Sequence, residues 1–354
     1  MLLSITIFLS FIFLEIIVRI VAPQNPNYTM FDGQLVFKHI PNFEFEYSRQ
    51  EFSQKISFNS QGLRDYEYPY EKAPGTYRIV VLGDSFPEGL QLNLDKTFPK
   101  LLEKSLNEKN INDKIKKFEA INMGTGGYGT EQEYLVLKNE ALKYHPDLVL
   151  LAFSMNDIED NYNAPAITFE NGVIKENKVS ASLPKRMMLA CSRHSDICSL
   201  MQKVIIESGS TPKGNEGFDR NSVYKKENSS DFTDAIKETL ELISQMKSAS
   251  ENNGADFAVI FIPSKEQVDE KKMQEYFKAN VIEKNKIDVN KVQRMIKEYS
   301  ISRNIRVINL LDAFKKENNN NDFYFEIDGH WNEKGHELAA MEIYDELEKF
   351  SVLP

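Results

Sequence analysis

The chain has 354 residues, a formal net charge of −10, and 41% hydrophobic and 27% charged residues. That balance fits one large or two small globular domains with a real core, and it excludes a largely disordered chain, a collagen-like fibre and a multi-span transporter. The acidic surplus argues against non-specific nucleic-acid binding, which needs a basic surface to displace counterions, and two cysteines are too few for a disulfide-stapled mini-protein or a four-ligand zinc site.

In chain order the first feature is the run from Leu2 to Ala22, apolar or small throughout except at Glu15 and Arg19. As a helix it is long enough to cross a hydrocarbon core. Glu15 and Arg19 stand one helical turn apart, so they can pair and soften the cost of burying charge. Residues 1–22 read as an uncleaved single membrane anchor. A cleaved signal peptide competes with this reading, but the run lacks a basic n-region and an A-x-A site, and Pro23 follows directly. A buried soluble helix fits less well, because the first fourteen residues show no amphipathic pattern. Arg19 at the far end favours a cytoplasmic body by the positive-inside rule.

Residues 23–72 read as a small β-rich extension. Phe43, Phe45 and Tyr47 alternate with Glu44, Glu46 and Ser48, which is strand periodicity, and Lys55 to Phe58 supplies a return strand before a turn at Asn59 to Gly62. The segment is too short to bury a core of its own.

From residue 73 onward the pattern becomes strand, loop, helix, repeated. Strands are predicted at Tyr77 to Leu82, Ala120 to Asn122, Leu148 to Phe153, Phe257 to Ile262 and Arg306 to Leu310. Helices are predicted at Thr97 to Asn110, Thr130 to Leu142, around Phe232 to Met246, around Val292 to Tyr299, and from Asn332 to Phe350. Continuous apolar strands alternating with helices imply an α/β fold: a parallel sheet covered on both faces. Residues 157–230 break the rhythm and read as an insertion on the strand-end side, and Asn318 to Asn321 reads as a polar loop.

In an open parallel sheet, ligands sit beyond the carboxyl ends of the strands. Four segments follow strands or precede the last helix at that edge: Gly83-Asp84-Ser85, Asn122-Met123-Gly124, Ser154-Met155-Asn156-Asp157 and Asp328-Gly329-His330. Ser85 can point its hydroxyl into the crevice, but it is a poor nucleophile until a base takes its proton. His330 can be that base, with Asp328 holding the second ring nitrogen. The Ser85 N–H, the Gly124 N–H and the Asn156 amide can serve as oxyanion donors. Each piece alone is an ordinary turn, and it is their order along the chain that carries the reading. The run Gly124 to Gly129 matches neither glycine-rich phosphate fingerprint.

This ordered set resembles the SGNH (GDSL-type) hydrolase superfamily over about residue 75 to the end. The resemblance implies a flavodoxin-like α/β/α sandwich with a five-stranded parallel sheet. It implies a nucleophile at Ser85, oxyanion donors at Gly124 and Asn156, and an acid and base at Asp328 and His330. It implies hydrolysis of acyl or acetyl esters of carbohydrate or lipid, or transfer of the acyl group to another acceptor by the same residues. A member that kept the fold and binds carbohydrate without catalysis is the third option. Ser154 stands where the superfamily has glycine, and Asp328 and His330 are separated by one residue instead of two. The shorter spacing occurs in envelope-polysaccharide branches, and that context puts the catalytic domain outside the cytoplasm, against the reading from Arg19. His336 is the rival base, but its place inside the last helix suits packing better. No metal or organic cofactor is implied.

His39, His145 and His194 stand apart from these motifs. Cys191 and Cys198 are read either as a disulfide or as two free thiols, and within one helix they would stand about 10 Å apart, too far to bridge. Cys191, His194 and Cys198 make only three metal ligands. Trp331 suits either a sugar site or burial under the last helix. Lys114 to Lys117 reads as a solvated face.

Overall fold

A computed structural model describes residues 2–109, 115–163, 166–170, 173–209, 218–317, 322–350 and 353. The polar run 318–321, Lys114 and Asn110 lie outside these, as do parts of the expected insertion.

The chain opens with α1 (Leu2–Val21), a helix with no buried residue. Two antiparallel hairpins follow: β1 (Thr29–Asp32) with β2 (Val36–His39), and β3 (Glu44–Ser48) with β4 (Ser53–Ser57). On β3 the predicted alternation is observed, with Phe45 and Tyr47 buried and Glu44, Glu46 and Ser48 exposed. Phe45, Tyr47, Phe52, Ile56 and Phe58 form a small aromatic cluster with Leu90, against which Phe325 also packs. The hairpins thus complete their apolar face on residues far along the chain.

The main unit begins at β5 (Thr76–Gly83). It continues through α2 (Ser85–Glu88), α3 (Phe98–Lys109), β6 (Lys117–Asn122), α4 (Thr130–Asn139), β7 (Leu148–Phe153) and α5 (Asp157–Asn163). A short hairpin, β8 (Ile167–Glu170) with β9 (Val173–Glu176), leads to α6 (Leu183–Cys191) and α7 (Asp196–Gly209). The chain then returns through α8 (Ser230–Asn252), β10 (Asp256–Phe261), α9 (Lys265–Val268), α10 (Glu270–Ala279), α11 (Lys291–Ser302), β11 (Arg306–Asn309), α12 (Leu311–Glu317) and α13 (Glu333–Lys349).

The five central strands run parallel in the order β11-β10-β7-β5-β6. Because side chains alternate along a strand, each strand feeds both faces. Val80 and Leu82 of β5 pack with Leu135 of α4, Ile236 and Ile243 of α8 and Ile296 of α11. Ile79 and Val81 pack with Leu102 of α3, Phe314 of α12 and Ile343 of α13. The result is the expected three-layer α/β/α sandwich. The two strands whose connections leave in opposite directions are β5 and β7, and a crevice opens beyond their carboxyl ends.

The segment from Lys265 to Ala279, unassigned from sequence, is helical. Each of its two helices begins at a side-chain cap: Ser264 accepts from the Gln267 N–H, and Asp269 accepts from Lys271 and Lys272. Cys191 and Cys198 form a disulfide with Cα atoms 5.7 Å apart. They lie on two helices joined by the bend at residues 192–195 instead of on one, which is why they meet and why neither is available as a thiolate ligand.

Candidate active site

β5 is buried from Tyr77 to Gly83 and delivers Ser85 to the crevice through a tight turn. Gly83 has φ +151°, and a Cβ there would stand 2.7 Å from Pro87 Cγ and 2.9 Å from the Ala152 carbonyl on neighbouring β7. Only glycine lets the turn pass that close. Asp84 caps α2: its Oδ1 accepts the Phe86 N–H at 3.0 Å, while its Oδ2 accepts from Asn156 Nδ2 at 3.0 Å. Full burial raises the Asp84 pKa, against the hydrogen bonds from Phe86 and Asn156 that favour its charged form.

The second half of the site is the loop between α12 and α13. Its two arms close through Phe325 N–H to the His330 carbonyl at 2.8 Å and Asn332 N–H to the Phe323 carbonyl at 2.9 Å. It brings His330 Nε2 to 2.7 Å from Ser85 Oγ, and His330 Nδ1 to 2.6 Å from Asp328 Oδ1. Gln91 Nε2 donates to the same Asp328 oxygen at 3.1 Å. Burial works against a charged His330, but the hydrogen bond and charge of Asp328, with Asp84 and Glu88 behind, outweigh it and raise the ring's pKa. Burial likewise works against a charged Asp328. The hydrogen bond and charge of His330 outweigh it, and its pKa falls below the ordinary carboxylate value. Such an arrangement holds a ring nitrogen toward the serine hydroxyl and stabilises the imidazolium that forms when the proton moves.

The expected oxyanion donors are placed less simply. Gly124 is buried, and its N–H donates to Asn122 Oδ1 at 3.0 Å. An added Cβ there would stand 2.6 Å from the Glu88 nitrogen, so this glycine serves the packing of the loop beneath α2. The expectation of an open donor at Gly124 is therefore corrected: its N–H is already occupied inside the loop. The glycine beside the serine is Gly126, where a Cβ would lie 3.5 Å from Ser85 Cβ. Asn156 is exposed at the crevice, with its amide shared at 3.0 Å between Asp84 Oδ2 and Asp160 Oδ2. Burial raises the Asp160 pKa to about 7, against the Asn156 hydrogen bond and with the help of Asp84 and Glu159.

His336 is fully buried in the first turn of α13, and its Nδ1 accepts the Phe98 N–H at 3.1 Å. Burial, with the charges of Arg64 and His330, lowers its pKa to about 3, so it is a neutral packing group far from base chemistry. Trp331 is also buried, against Phe86, Phe98 and Phe314.

Sequence reasoning missed the groups that hold these residues in place. Glu51, in the turn between β3 and β4, reaches the loop that carries Asp328. Its Oε1 accepts the Glu326 N–H at 2.7 Å, and its Oε2 accepts those of Ile327 and Asp328 at 2.9 and 2.8 Å. His39, read as an isolated residue, is buried with Nε2 2.9 Å from Glu88 Oε1, and Glu88 Oε2 accepts the Gly126 N–H at 2.9 Å. No local pattern marks Glu51 or His39, because their partners lie far along the chain.

Beside the relay opens a cleft of about 760 Å³, lined by Phe86, Asn156, Asp160, Arg220, Tyr276 and Gly329 among others. Its cations are balanced by acids: Arg220 pairs with Glu159 at 2.7 Å, and Lys265 with Glu326 at 2.7 Å. Among the described residues no group of three or more His, Cys, Asp and Glu side chains is arranged to hold a metal ion.

Residues 81–338 match the model of the GDSL-like lipase/acylhydrolase family. Similar solved structures include an acetyl xylan esterase, at 14% identity with 76% of this chain and 98% of that chain covered and a TM-score of 0.43. A psychrotrophic esterase from Pseudoalteromonas sp. inhibited by monoethylphosphonate is 15% identical, covering 77% and 98%, with a TM-score of 0.41. A lipase/acylhydrolase from Enterococcus faecalis is 15% identical, covering 77% and 96%, with a TM-score of 0.42. No curated protein matches the chain. The family match spans most of the chain, which therefore belongs to the GDSL-like lipase/acylhydrolase family and is an ester-bond hydrolase.

Proposed function

We propose that the chain is a serine-dependent O-acyl esterase anchored in the membrane, acting on small acyl esters of carbohydrate in the cell envelope. Ser85 attacks the ester carbonyl and His330 Nε2 takes its proton. Asp328 fixes the ring and stabilises its charge, and His330 returns the proton to the leaving alcohol. Water, activated by the same ring, then releases the acid and regenerates Ser85. The Ser85 N–H and the Asn156 amide hold the oxyanion, with Asn156 exchanging its bond to Asp160 on the cleft side for the substrate oxygen. The observation that carries this reading is the pair of contacts at 2.7 and 2.6 Å that links Ser85 through His330 to Asp328 at the mouth of the cleft.

A carbohydrate substrate is supported by the charged and polar side chains on the cleft walls, Asn156, Asp160, Arg220 and Glu266 among them, which can hydrogen-bond sugar hydroxyls beside apolar Phe86 and Ile262. A long acyl chain calls for an apolar channel instead. Residues 1–22 are the anchor, 23–72 the extension, and 73–354 the hydrolase domain with its insertion at 157–230. A catalytic domain outside the cytoplasm is supported by the disulfide between Cys191 and Cys198, since such bonds persist in oxidising compartments.

The test is release of acid from O-acetylated envelope glycans by the purified chain, beside a fluorophosphonate probe. Labelling of the wild type but not of Ser85→Ala, with free acetate as product, is the expected outcome. Probe labelling that survives Ser85→Ala refutes the nucleophile, acetate appearing only on an added glycan acceptor makes the enzyme a transferase, and release from lipid esters alone refutes the carbohydrate reading.

A further inference from the structure

Away from the site, α6 and α7 form a disulfide-closed helical hairpin fastened to the foot of α1. Glu15 of α1 accepts at the start of α7 from Ser195 Oγ at 2.7 Å and from the N–H groups of Asp196 and Ile197 at 2.9 and 3.2 Å. Arg19 donates to the His194 carbonyl at 2.6 Å, and the Gln24 N–H donates to Asp196 Oδ2 at 3.0 Å. Six residues separate Glu15 from the end of α1 at Val21, a rise of about 9 Å along the helix axis. The start of α7 is therefore held inside the span of the apolar helix, not beyond its end.

From that point an apolar stripe runs along α7 at helical spacing. It begins buried at Ile197 and becomes uncovered at Met201, Val204 and Ile205, which are 50–55% exposed. Leu183 and Met187 of α6, one turn apart, are 69% and 64% exposed. The charge of the hairpin is opposite to that of the whole chain. Residues 183–209 carry Lys185, Arg186, Arg193 and Lys203 against two acids, Asp196 and Glu207, in a protein of net charge −10. Beside it, where the chain leaves α1, a recess of about 510 Å³ is lined by Gln24, Asn25, Arg49, Gln202 and Lys203.

We propose that the α6–α7 hairpin is a second membrane contact, lying on the bilayer surface beside α1. The uncovered stripe enters the headgroup boundary, and the anionic headgroups of the lipid meet Arg49, Lys185, Arg186 and Lys203. The physical reason is continuity and charge. The stripe adjoins a helix with no buried residue, both need the same apolar surroundings, and basic residues flanking such a stripe favour an anionic lipid surface. Two contacts fix the body's tilt on the membrane, and with it the direction in which the cleft opens, which one helix alone does not. The inference rests on the reading of α1 as a membrane span.

The experiment uses the full chain, disulfide intact, in lipid nanodiscs carrying bromine on the acyl chains, made of phosphatidylcholine with or without phosphatidylglycerol. Trp331, the one native tryptophan, is fully buried and supplies a constant background. Leu9→Trp reports on α1, Val204→Trp on the hairpin, and Val281→Trp, on the loop after α10 and 90% exposed, serves as the control. Expected is about twofold quenching by bromine of the added emission of Leu9→Trp and Val204→Trp, and none of Val281→Trp. Val204→Trp quenching should be greater with phosphatidylglycerol, and it should fall on adding Lys185→Glu, Arg186→Glu and Lys203→Glu. Quenching of Leu9→Trp without quenching of Val204→Trp overturns the hairpin contact and leaves the anchor standing. No quenching of either removes the anchor and the inference together. A Val204→Trp shielded from acrylamide yet untouched by bromine means that a second copy covers the face, which also overturns it.

Discussion

Ser85 and the ring of His330 meet at 2.7 Å, yet different parts of the chain hold them there. Ser85 sits at the end of β5, between two paired strands, on a turn that only Gly83 allows. His330 and Asp328 sit on a loop whose backbone is gripped by Glu51, more than 270 residues earlier, and backed by Phe325 against Phe52 at 5.2 Å between ring centroids. Ser85, the proposed nucleophile, is placed by the core of the fold. Asp328 and His330, the proposed acid and base, sit on a loop braced by an extension that lies outside the matched family region at residues 81–338. One half of such a site rests on the sheet, while the other rests on a loop closed by its own backbone bonds, anchored by buried Trp331 and gripped from outside by Glu51.

The largest effect is expected at the rigid half. Gly83→Ala forces a side chain against Pro87 and β7 at a backbone angle that suits glycine, and should cost about 3 kcal/mol or more of stability. Thermal or denaturant unfolding checks this, and an unchanged midpoint would mean that the turn is softer than the packing implies.

Within the relay, Asp328→Asn keeps the shape of the side chain but removes the charge that favours the imidazolium. We expect a loss on the order of 10³-fold in kcat with little change in unfolding. A loss below tenfold would show that Gln91 or Glu88 substitutes for it.

Asn156→Ala removes the amide shared by Asp84 and Asp160, and a fall in kcat of about 10²-fold is expected if that amide meets the oxyanion. A change confined to KM would assign it to substrate binding alone.

The comparison is sharpened most by Glu51→Ala, which touches neither substrate nor nucleophile. A loss of about tenfold in kcat is expected, with the rate of probe labelling of Ser85 falling alongside it and KM much less affected, because small misplacement of a general base slows chemistry before it weakens binding. Equal losses in kcat and in folded fraction would make Glu51 a stability residue only.

The smallest effect is a shift in pH dependence. In the proposed mechanism the neutral His330 ring is the base, and its pKa is raised, so the acid limb of kcat/KM should lie above the ordinary imidazole value of 6.5. Asp328→Asn removes the largest raising influence and leaves burial opposed only by Asp84 and Glu88, so the limb of the residual activity should move down. For stability the signs differ. His330 contributes fully below its unfolded pKa and loses the contribution as pH rises through its raised value. Asp328 contributes above its unfolded pKa and loses it as pH falls through its lowered value. Urea titrations of wild type and Asp328→Asn should therefore differ most between about pH 4 and 6.5.

The sheet was legible because burial on both faces writes continuous apolar runs, such as Leu148 to Phe153, that no other element of that length needs. The strand-end loops were legible because the fold's topology brings them to one edge in a fixed order. Helices α9 and α10 were not, because α9 is a single four-residue turn and α10 is half charged, with Phe277 its one buried residue. Gly124 was misread for a related reason: spacing shows that a glycine follows the second strand, not which N–H a neighbouring Asn122 side chain will take.

By itself the sequence determined the alternating architecture, the apolar first helix, and the residue types that a hydroxyl, an imidazole and a carboxylate chemistry require. These follow from periodicity and from side-chain chemistry, both of which act within a few residues. The tertiary structure alone decided that Glu51 holds the Asp328 loop, that His39 meets Glu88, that the two cysteines face each other across a bend, and that Glu15 caps α7. Those contacts join segments about 50 to 280 residues apart, or turn on a local change of direction, and their geometry exists only once the packed layers have fixed where each loop can reach.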